Sequence, residues 1–243
     1  NSDVINKLRE KKFHVLENAH SNYTTSFMSL LSSLNMKYIH DDYARYDLDP
    51  GLPRQLAKTL ENNAVVNFLK QKGYKFIHFS SGYCATEYNM YADWNIYCGR
   101  LSEFCRILIH TTLLRYVEAR VSWGDLRHRI LCQLDKIPQV QKMIDGPRFV
   151  FAHIVSPHPP YLFNAQGGPV DYKLQGIDPA GNDIWQYKGA YVEQIKFLNG
   201  RLIQMINQIL TGADTPPIII IQGDHGTASS GTGKLNTHTD TLI

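Results

Sequence analysis

The chain has 243 residues, 43% hydrophobic and 19% charged, with a formal net charge of +3. That length and apolar share suit one globular domain with a sizeable core. The charge is too small to argue for nucleic acid or an anionic membrane as a partner, and no basic run appears. No apolar run is long enough to span a bilayer.

In chain order, "NSDVINKLREKKF" reads as a helix capped by Ser2 or Asp3, with Val4, Ile5 and Leu8 on one face. "FHVLENAH" reads as a short strand. "SNYTTSFMSLLSSLNM" is a loop entering a helix, with Thr24, Thr25 and Ser26 as cap candidates and Phe27, Leu30, Leu31 and Leu34 at helical spacing. "DDYARYDLDPGLP" is a loop. "NAVVNFLKQKGYKFIHFSSG" is a helix stopped at Gly73, followed by a strand from Tyr74 to Phe79.

Residues 101–144 read as two helices broken near Ser122–Gly124. "RFVFAHIVSPHPPYLF" is a buried strand running into a proline-stiffened loop. "GGPVDYKLQGIDPAGND" is a Gly/Pro-rich loop long enough to suggest binding. "AYVEQIKFLNGRLIQMINQIL" is a helix striped by Val192, Ile195, Leu198, Leu202, Ile206 and Ile209, with Gly212 as its stop. The last strand is read as Ile218–Gln222. Helices alternating with wholly apolar strands predict an α/β fold: a largely parallel central sheet with helices on both faces. Ligands bind such sheets at the carboxyl ends of the strands, so the ends near Phe79, His153 and Gln222 are expected on one edge.

The four cysteines (Cys84, Cys98, Cys105, Cys132) lack CxxC spacing, which argues against a zinc knuckle. Free core thiols or one or two disulfides stay open. Cys98 and Cys105 are read as seven-residue helix spacing, which separates them by about 10 Å.

Three stretches carry chemistry. Asp224 and His225 offer a carboxylate and an imidazole, ligands for zinc or manganese, and Gly226 permits a tight turn; an Asp-capped turn beside a surface histidine is the alternative. His153 sits late in a strand, and His158 lies in a loop that Pro157, Pro159 and Pro160 stiffen. Both could contact a phosphate, or be a core and a solvent-facing histidine. "NYTTSFMS" puts hydroxyls at a helix N-terminus, which favours an anion and an alkoxide, though ordinary capping explains it too.

Taken in order, "SNYTTSFMSLLSSLNM", "FAHIVSPHPPYLF" and "IIIIQGDHG" resemble the sulfatase-like branch of the alkaline phosphatase superfamily. The likeness is nearest to the extracytoplasmic domains of lipoteichoic acid synthase and phosphoethanolamine transferase-like proteins, and it covers nearly the whole chain. It implies a divalent metal, manganese or zinc, held by Asp224, His225 and the nucleophile. It implies Ser26 as nucleophile with Ser29 three residues on, Thr25 as the fallback, and His158 and His153 on the transferred group. The implied activity is metal-dependent phosphoryl transfer or phosphodiester hydrolysis through a covalent phospho-enzyme, on a phospholipid or cell-envelope glycan or phosphate substrate. Nucleic acid is not an expected partner. The implied protein is a monomer, extracytoplasmic, and tethered to the membrane by a segment outside this chain.

Two features depart from the family pattern. The acidic metal ligand expected on a strand upstream of the nucleophile has no counterpart here, and serine replaces threonine at position 26. The chain opens directly in a helix and ends without a stop signal. Residues 1–243 are therefore read as a single domain truncated at both ends, expected by itself to bind metal poorly and to be inactive even where the full-length protein is an enzyme. A non-catalytic sulfatase-like binding domain is the alternative function. A formylglycine sulfatase ranks below both, because "SFMSL" lacks the proline and arginine that a Cys/Ser-x-Pro-x-Arg motif requires.

Overall fold

A computed structural model describes residues 2–39, 52–101, 103–171 and 188–226. Within these, α1 spans Ser2–Glu10, α2 Ser26–Asn35, α3 Leu52–Glu61 and α4 Ala64–Gln71. The strands are β1 Lys75–Phe79, β2 Trp94–Ile96 and β3 Arg148–Ala152. Between β2 and β3 lie α5 Glu103–Thr111, α6 Glu118–Lys136 and the short α7 Val140–Met143. The long α8, Lys188–Gly212, follows β3.

The three strands form a parallel sheet in the order β2-β1-β3. Period-two alternation on β1 sorts its residues to two faces. Ile77 and Phe79 pack with Cys98, Val140 and Ile144, and with Val150 and Ala152 of β3. Phe76 and His78 point the other way, with Phe149 and Phe151 stacked beside them. They face a small cavity whose other walls include Leu34 of α2, Leu60 of α3 and Val66 of α4. Helices thus cover both faces, as the apolar strands predict. The strand carboxyl ends coincide, since Phe79 pairs with Ala152 and with Ile96.

Local chemistry explains the element ends. Asn63 caps α4 by accepting from Val66 N, and Gly73 at φ +83°, two residues beyond Gln71, ends that segment. The α8 stripe is seated on α6 and the loop after β3, where Leu198, Leu202, Met205 and Ile209 meet Ile130, Leu134, Leu162 and Phe163.

Several expectations are corrected. Residues 13–20 form no strand; Phe13 N instead bonds back to Leu8 O and closes α1. The Ile218–Gln222 run is also outside the sheet. Ile218 and Ile220 are 92% and 81% exposed, because no strand among the described residues pairs with them. The helix does not break near Ser122–Gly124. It breaks at Thr111–Thr112, where the threonine hydroxyls bond back to Ile107 O and Ile109 O and Leu114 N turns to the Thr112 hydroxyl. Gly124 costs α6 about 1 kcal/mol of propensity, and the helix runs through it. Cys98 and Cys132 form a disulfide with Cα atoms 5.5 Å apart, tying the chain after β2 to α6; Cys84 and Cys105 are unbridged. Helix α3 and the three-residue strand β2 have no counterpart in the sequence reading. Residues 41–51 of the "DDYARYDLDPGLP" loop and 172–183 of the Gly/Pro-rich loop lie outside the described residues; Leu52 and Pro53 already belong to α3.

Candidate active site

Helix α2 delivers the first component. Its apolar side chains Met28 and Leu31 are buried against Leu56 and Leu60 of α3, which fixes the helix axis. Thr25 is the N-cap, extended at φ −122° and ψ 143°, and its side chain makes no capping hydrogen bond. The N–H groups of the first turn therefore remain for another acceptor, and they carry the positive end of the helix dipole. Ser26 is the first helical residue and is half-buried, whereas Thr25 is exposed.

The segment after the Ile218–Gln222 run arrives beside that N-terminus. The hydroxyl of the buried Ser29 donates to Asp224 O and pins the segment to α2. Ser26 Oγ then lies 3.1 Å from His225 Nε2. His225 Nδ1 is 2.6 Å from Gly226 O. A carbonyl only accepts, so Nδ1 carries the hydrogen and Nε2 presents its lone pair to Ser26. Asp224 Oδ2 is 3.6 Å from that same nitrogen.

Strand β3 delivers the third component. His153 follows its last residue and reaches Asp224 Oδ2 at 3.9 Å through Nε2. Its Nδ1 meets Thr86 Oγ1 at 2.8 Å. Gln133, fully buried on α6, donates to both Ser80 O and His153 O, so the ends of β1 and β3 are clamped together. His158 lies beyond in an exposed position, its Nδ1 2.5 Å from Pro159 O. Buried Gln194 of α8 grips that loop on both sides of His158, accepting from Leu162 N and donating to Pro157 O. The structure thus gathers Ser26, Asp224 and His225 at one point, with His153 beside Asp224. His158 stands at the rim, near enough for its charge to act on His153.

The electrostatics follow from this packing. Burial pushes the Asp224 carboxyl up. The Ser26 hydroxyl, the imidazoles of His225 and His153, and the His225 backbone N–H outweigh it and hold the group below the usual carboxylate range. Burial pushes His153 below 6.5; Asp224 pulls it back, and His225 and His158 press it down again. His78 is also lowered, chiefly by burial, against a raising bond to Thr86 O.

Two buried histidines with lowered values make stability acid-sensitive. As pH falls through 6.5 the unfolded chain binds protons that the folded chain refuses, so stability falls. The slope is at most about 1.4 kcal/mol per pH unit for each histidine. Urea melts from neutral pH to about pH 5 are expected to show this loss, with a shallower slope in His78→Gln. Equal slopes in the two proteins would contradict it.

Asp224 Oδ2 and His225 Nε2 are both acceptors, and they face each other with no hydrogen between them. Two such groups attract a cation. Ligands about 2.0–2.1 Å from a tetrahedral ion lie roughly 3.3 Å apart. The observed 3.6 Å for that pair and 3.1 Å from Ser26 Oγ to His225 bracket that spacing. Among the described residues no group of three or more His, Cys, Asp or Glu side chains is placed to hold a metal. Asp224, His225 and the Ser26 hydroxyl could fill at most part of a coordination shell.

Comparison with protein families gives one decisive result: the sulfatase family model matches residues 5–242. The chain belongs to the sulfatase family. That membership places it among the sulfatase-like proteins of the alkaline phosphatase superfamily, whose enzymes are hydrolases and transferases and typically use a divalent metal. No curated protein and no solved structure gave a match. For a sulfatase-family chain, the parallel sheet with helices on both faces is the expected scaffold.

Residue reading along the sequence did not single out Ser81, Thr86, Gln133 or Gln194. Thr86, Gln133 and Gln194 hold a site residue or its loop through tertiary contacts, and Ser81 holds Thr86 from five residues away.

Proposed function

We propose that the protein is a metal-dependent phosphoryl transferase or phosphodiesterase that works through a covalent phosphoseryl intermediate on Ser26. The observation that carries this reading is the Ser26 hydroxyl at an uncapped helix N-terminus, 3.1 Å from the lone-pair nitrogen of His225. Asp224 and His225, with the serine oxygen, would hold the cation. When bound, it would lower the hydroxyl's pKa and withdraw charge from a phosphoryl oxygen.

The protein's own groups account for the remaining steps. Ser26 Oγ gives up its proton and forms a bond to phosphorus as the bond to the leaving alcohol breaks in line. The departing oxygen takes up a proton. The first-turn N–H groups of α2 receive the phosphoryl oxygens, and His153 and His158 offer further contacts on the strand-end side. A second alcohol or a water then attacks phosphorus as the bond to Ser26 Oγ breaks, the attacking oxygen releasing a proton to solvent and Ser26 Oγ taking one up. Thr25 is the weaker nucleophile candidate, because it is exposed and stands one residue outside the helix.

The substrate proposed is a phospholipid or a cell-envelope glycan or phosphate ester. Its chemistry suits a cleft whose binding groups are imidazoles and helix N–H donors. An extracytoplasmic location, with the domain tethered to a membrane, is proposed alongside. The Cys98–Cys132 bridge supports it, since disulfides persist mainly in oxidising compartments. Among the described residues no helix is long and apolar enough to cross a membrane, so any tether would lie elsewhere.

Metal analysis tests this reading. The purified full-length protein is expected to carry manganese or zinc, and Asp224→Ala to lose at least tenfold in affinity for it, in line with the roughly 10- to 100-fold that even supporting residues cost. A protein that turns over phosphate esters after exhaustive chelation, with Asp224→Ala unimpaired, contradicts it.

A further inference from the structure

Between β1 and the site runs a chain of hydroxyls that the catalytic reading does not use. Ser81 Oγ is 2.7 Å from Thr86 Oγ1, which is 2.8 Å from His153 Nδ1. Both hydroxyls are buried. The backbone around Thr86 is held on two sides. Its carbonyl accepts from Ser81 N at 3.2 Å and from His78 Nε2 at 2.9 Å. The Tyr83 ring meets the His153 ring edge-on, with centroids 5.8 Å apart. Thr86 therefore cannot drift away from the imidazole.

Counting hydrogens leaves two arrangements. In one, Ser81 donates to Thr86, Thr86 donates to His153 Nδ1, and the imidazole hydrogen sits on Nε2. In the other, Ser81 donates to Tyr83 O, Thr86 donates to Ser81, and His153 donates from Nδ1. Two distances and one charge choose between them. The Ser81 hydroxyl is 2.7 Å from Thr86 Oγ1 but 3.2 Å from Tyr83 O. On the far side of the ring, His153 Nε2 looks at the Asp224 carboxylate at 3.9 Å. A bare lone pair there would face a negative oxygen, whereas an N–H would be attracted to it.

We propose that Thr86 is a positioning residue that holds His153 in the Nε2–H tautomer, so that the imidazole presents a hydrogen-bond donor to the oxygens of the transferred phosphoryl group. The tautomer assignment stands on the geometry alone; its use in catalysis rests on the phosphoryl-transfer reading. A group that acts through another in this way tightens the charge contact formed in the transition state. Its removal should therefore lower kcat more than it raises KM.

The test separates the two parts. Long-range ¹H–¹⁵N correlation spectra of the ¹⁵N-labelled protein, in chelator-treated buffer at mildly alkaline pH, report which nitrogen of each histidine carries hydrogen. The His153 signals are assigned by their loss in His153→Gln. Wild type and Thr86→Ser are expected to show protonated Nε2 and bare Nδ1, and Thr86→Val a mixed or reversed pattern. With a phosphate ester as substrate, Thr86→Val is expected to lose about 10- to 100-fold in kcat with KM within about twofold, restored in Thr86→Ser. A wild-type His153 protonated on Nδ1, or a tautomer unchanged in Thr86→Val, overturns the assignment whatever the activity proves to be. An altered tautomer with kcat unchanged overturns its catalytic use. Absence of any phosphoserine would strike at the phosphoryl-transfer reading and leave the tautomer result standing.

Discussion

Replacing Ser26 by alanine is expected to remove turnover almost entirely while leaving the fold intact. The substitution deletes the hydroxyl that stands 3.1 Å from the lone-pair nitrogen of His225. When a nucleophile of this kind is lost, kcat falls by roughly 10⁴- to 10⁶-fold. The cost in stability is expected to stay near about 1 kcal/mol, one hydrogen bond at a half-buried position. Met28, Leu31 and Ser29 still hold α2 against α3 and against Asp224. Thr25→Ala supplies the control. It removes an exposed hydroxyl that makes no capping bond, and activity should stay within about twofold. Assays of the two variants side by side, with urea melts of each, check both halves of the expectation. If Thr25→Ala is the inactive one, the nucleophile moves by one residue.

The largest loss of stability is expected at Arg129, which supports the site from beneath. Its side chain is only 2% exposed. Nη1 reaches both oxygens of Glu87 at 3.1 and 3.0 Å and Ser80 Oγ at 3.0 Å, and Nη2 donates to Leu101 O at 2.9 Å. Asp125 stands one turn earlier on α6, with its Oδ2 3.8 Å from Nη2 and its Oδ1 accepting from Arg100 N. Gly99 leaves the space for this guanidinium; a Cβ there would sit 2.0 Å from Nη2. Replacing Arg129 by methionine keeps much of the stem but removes the cation that both the Glu87 and Asp125 carboxylates face, at an expected cost of about 3–5 kcal/mol. Lysine is not a rescue, because one ammonium cannot reproduce the fork. Denaturant midpoints of Arg129→Met and Arg129→Lys decide the matter, and a loss below about 1 kcal/mol in both would contradict this account.

How much of this was legible in the sequence depends on whether the signal was local. Asp224 and His225 stood out because a carboxylate, an imidazole and a glycine ended an apolar run. Ser26 stood out because it preceded the stripe of α2, and the structure places both at one point. The sheet's parallel character was legible in the largely apolar cores of β1 and β3, Phe76–Ile77 and Phe149–Ala152, set between helical stretches. The strand readings of residues 13–20 and 218–222 failed for a physical reason. An apolar or alternating run states that a segment could pair, whereas pairing needs a neighbour, and no described strand stands beside either segment. The helix break was misplaced because glycine propensity was weighed above the back-bonding hydroxyls of Thr111 and Thr112. The supporting contacts of Thr86, Gln133 and Gln194 span 67, 20 and 32 residues, so no local pattern could have announced them.

The central claim is the covalent phosphoseryl intermediate on Ser26, and peptide mass spectrometry after an acid quench tests it most directly. The protein is loaded with manganese or zinc, mixed with phospholipid vesicles or a phosphate ester under turnover, quenched and digested. The account predicts one added phosphoryl or phospho-headgroup mass on the peptide containing residues 24–29, localised to Ser26, and none in Asp224→Ala. Measurable turnover with that peptide unmodified, or with the group on a residue outside α2, would contradict it.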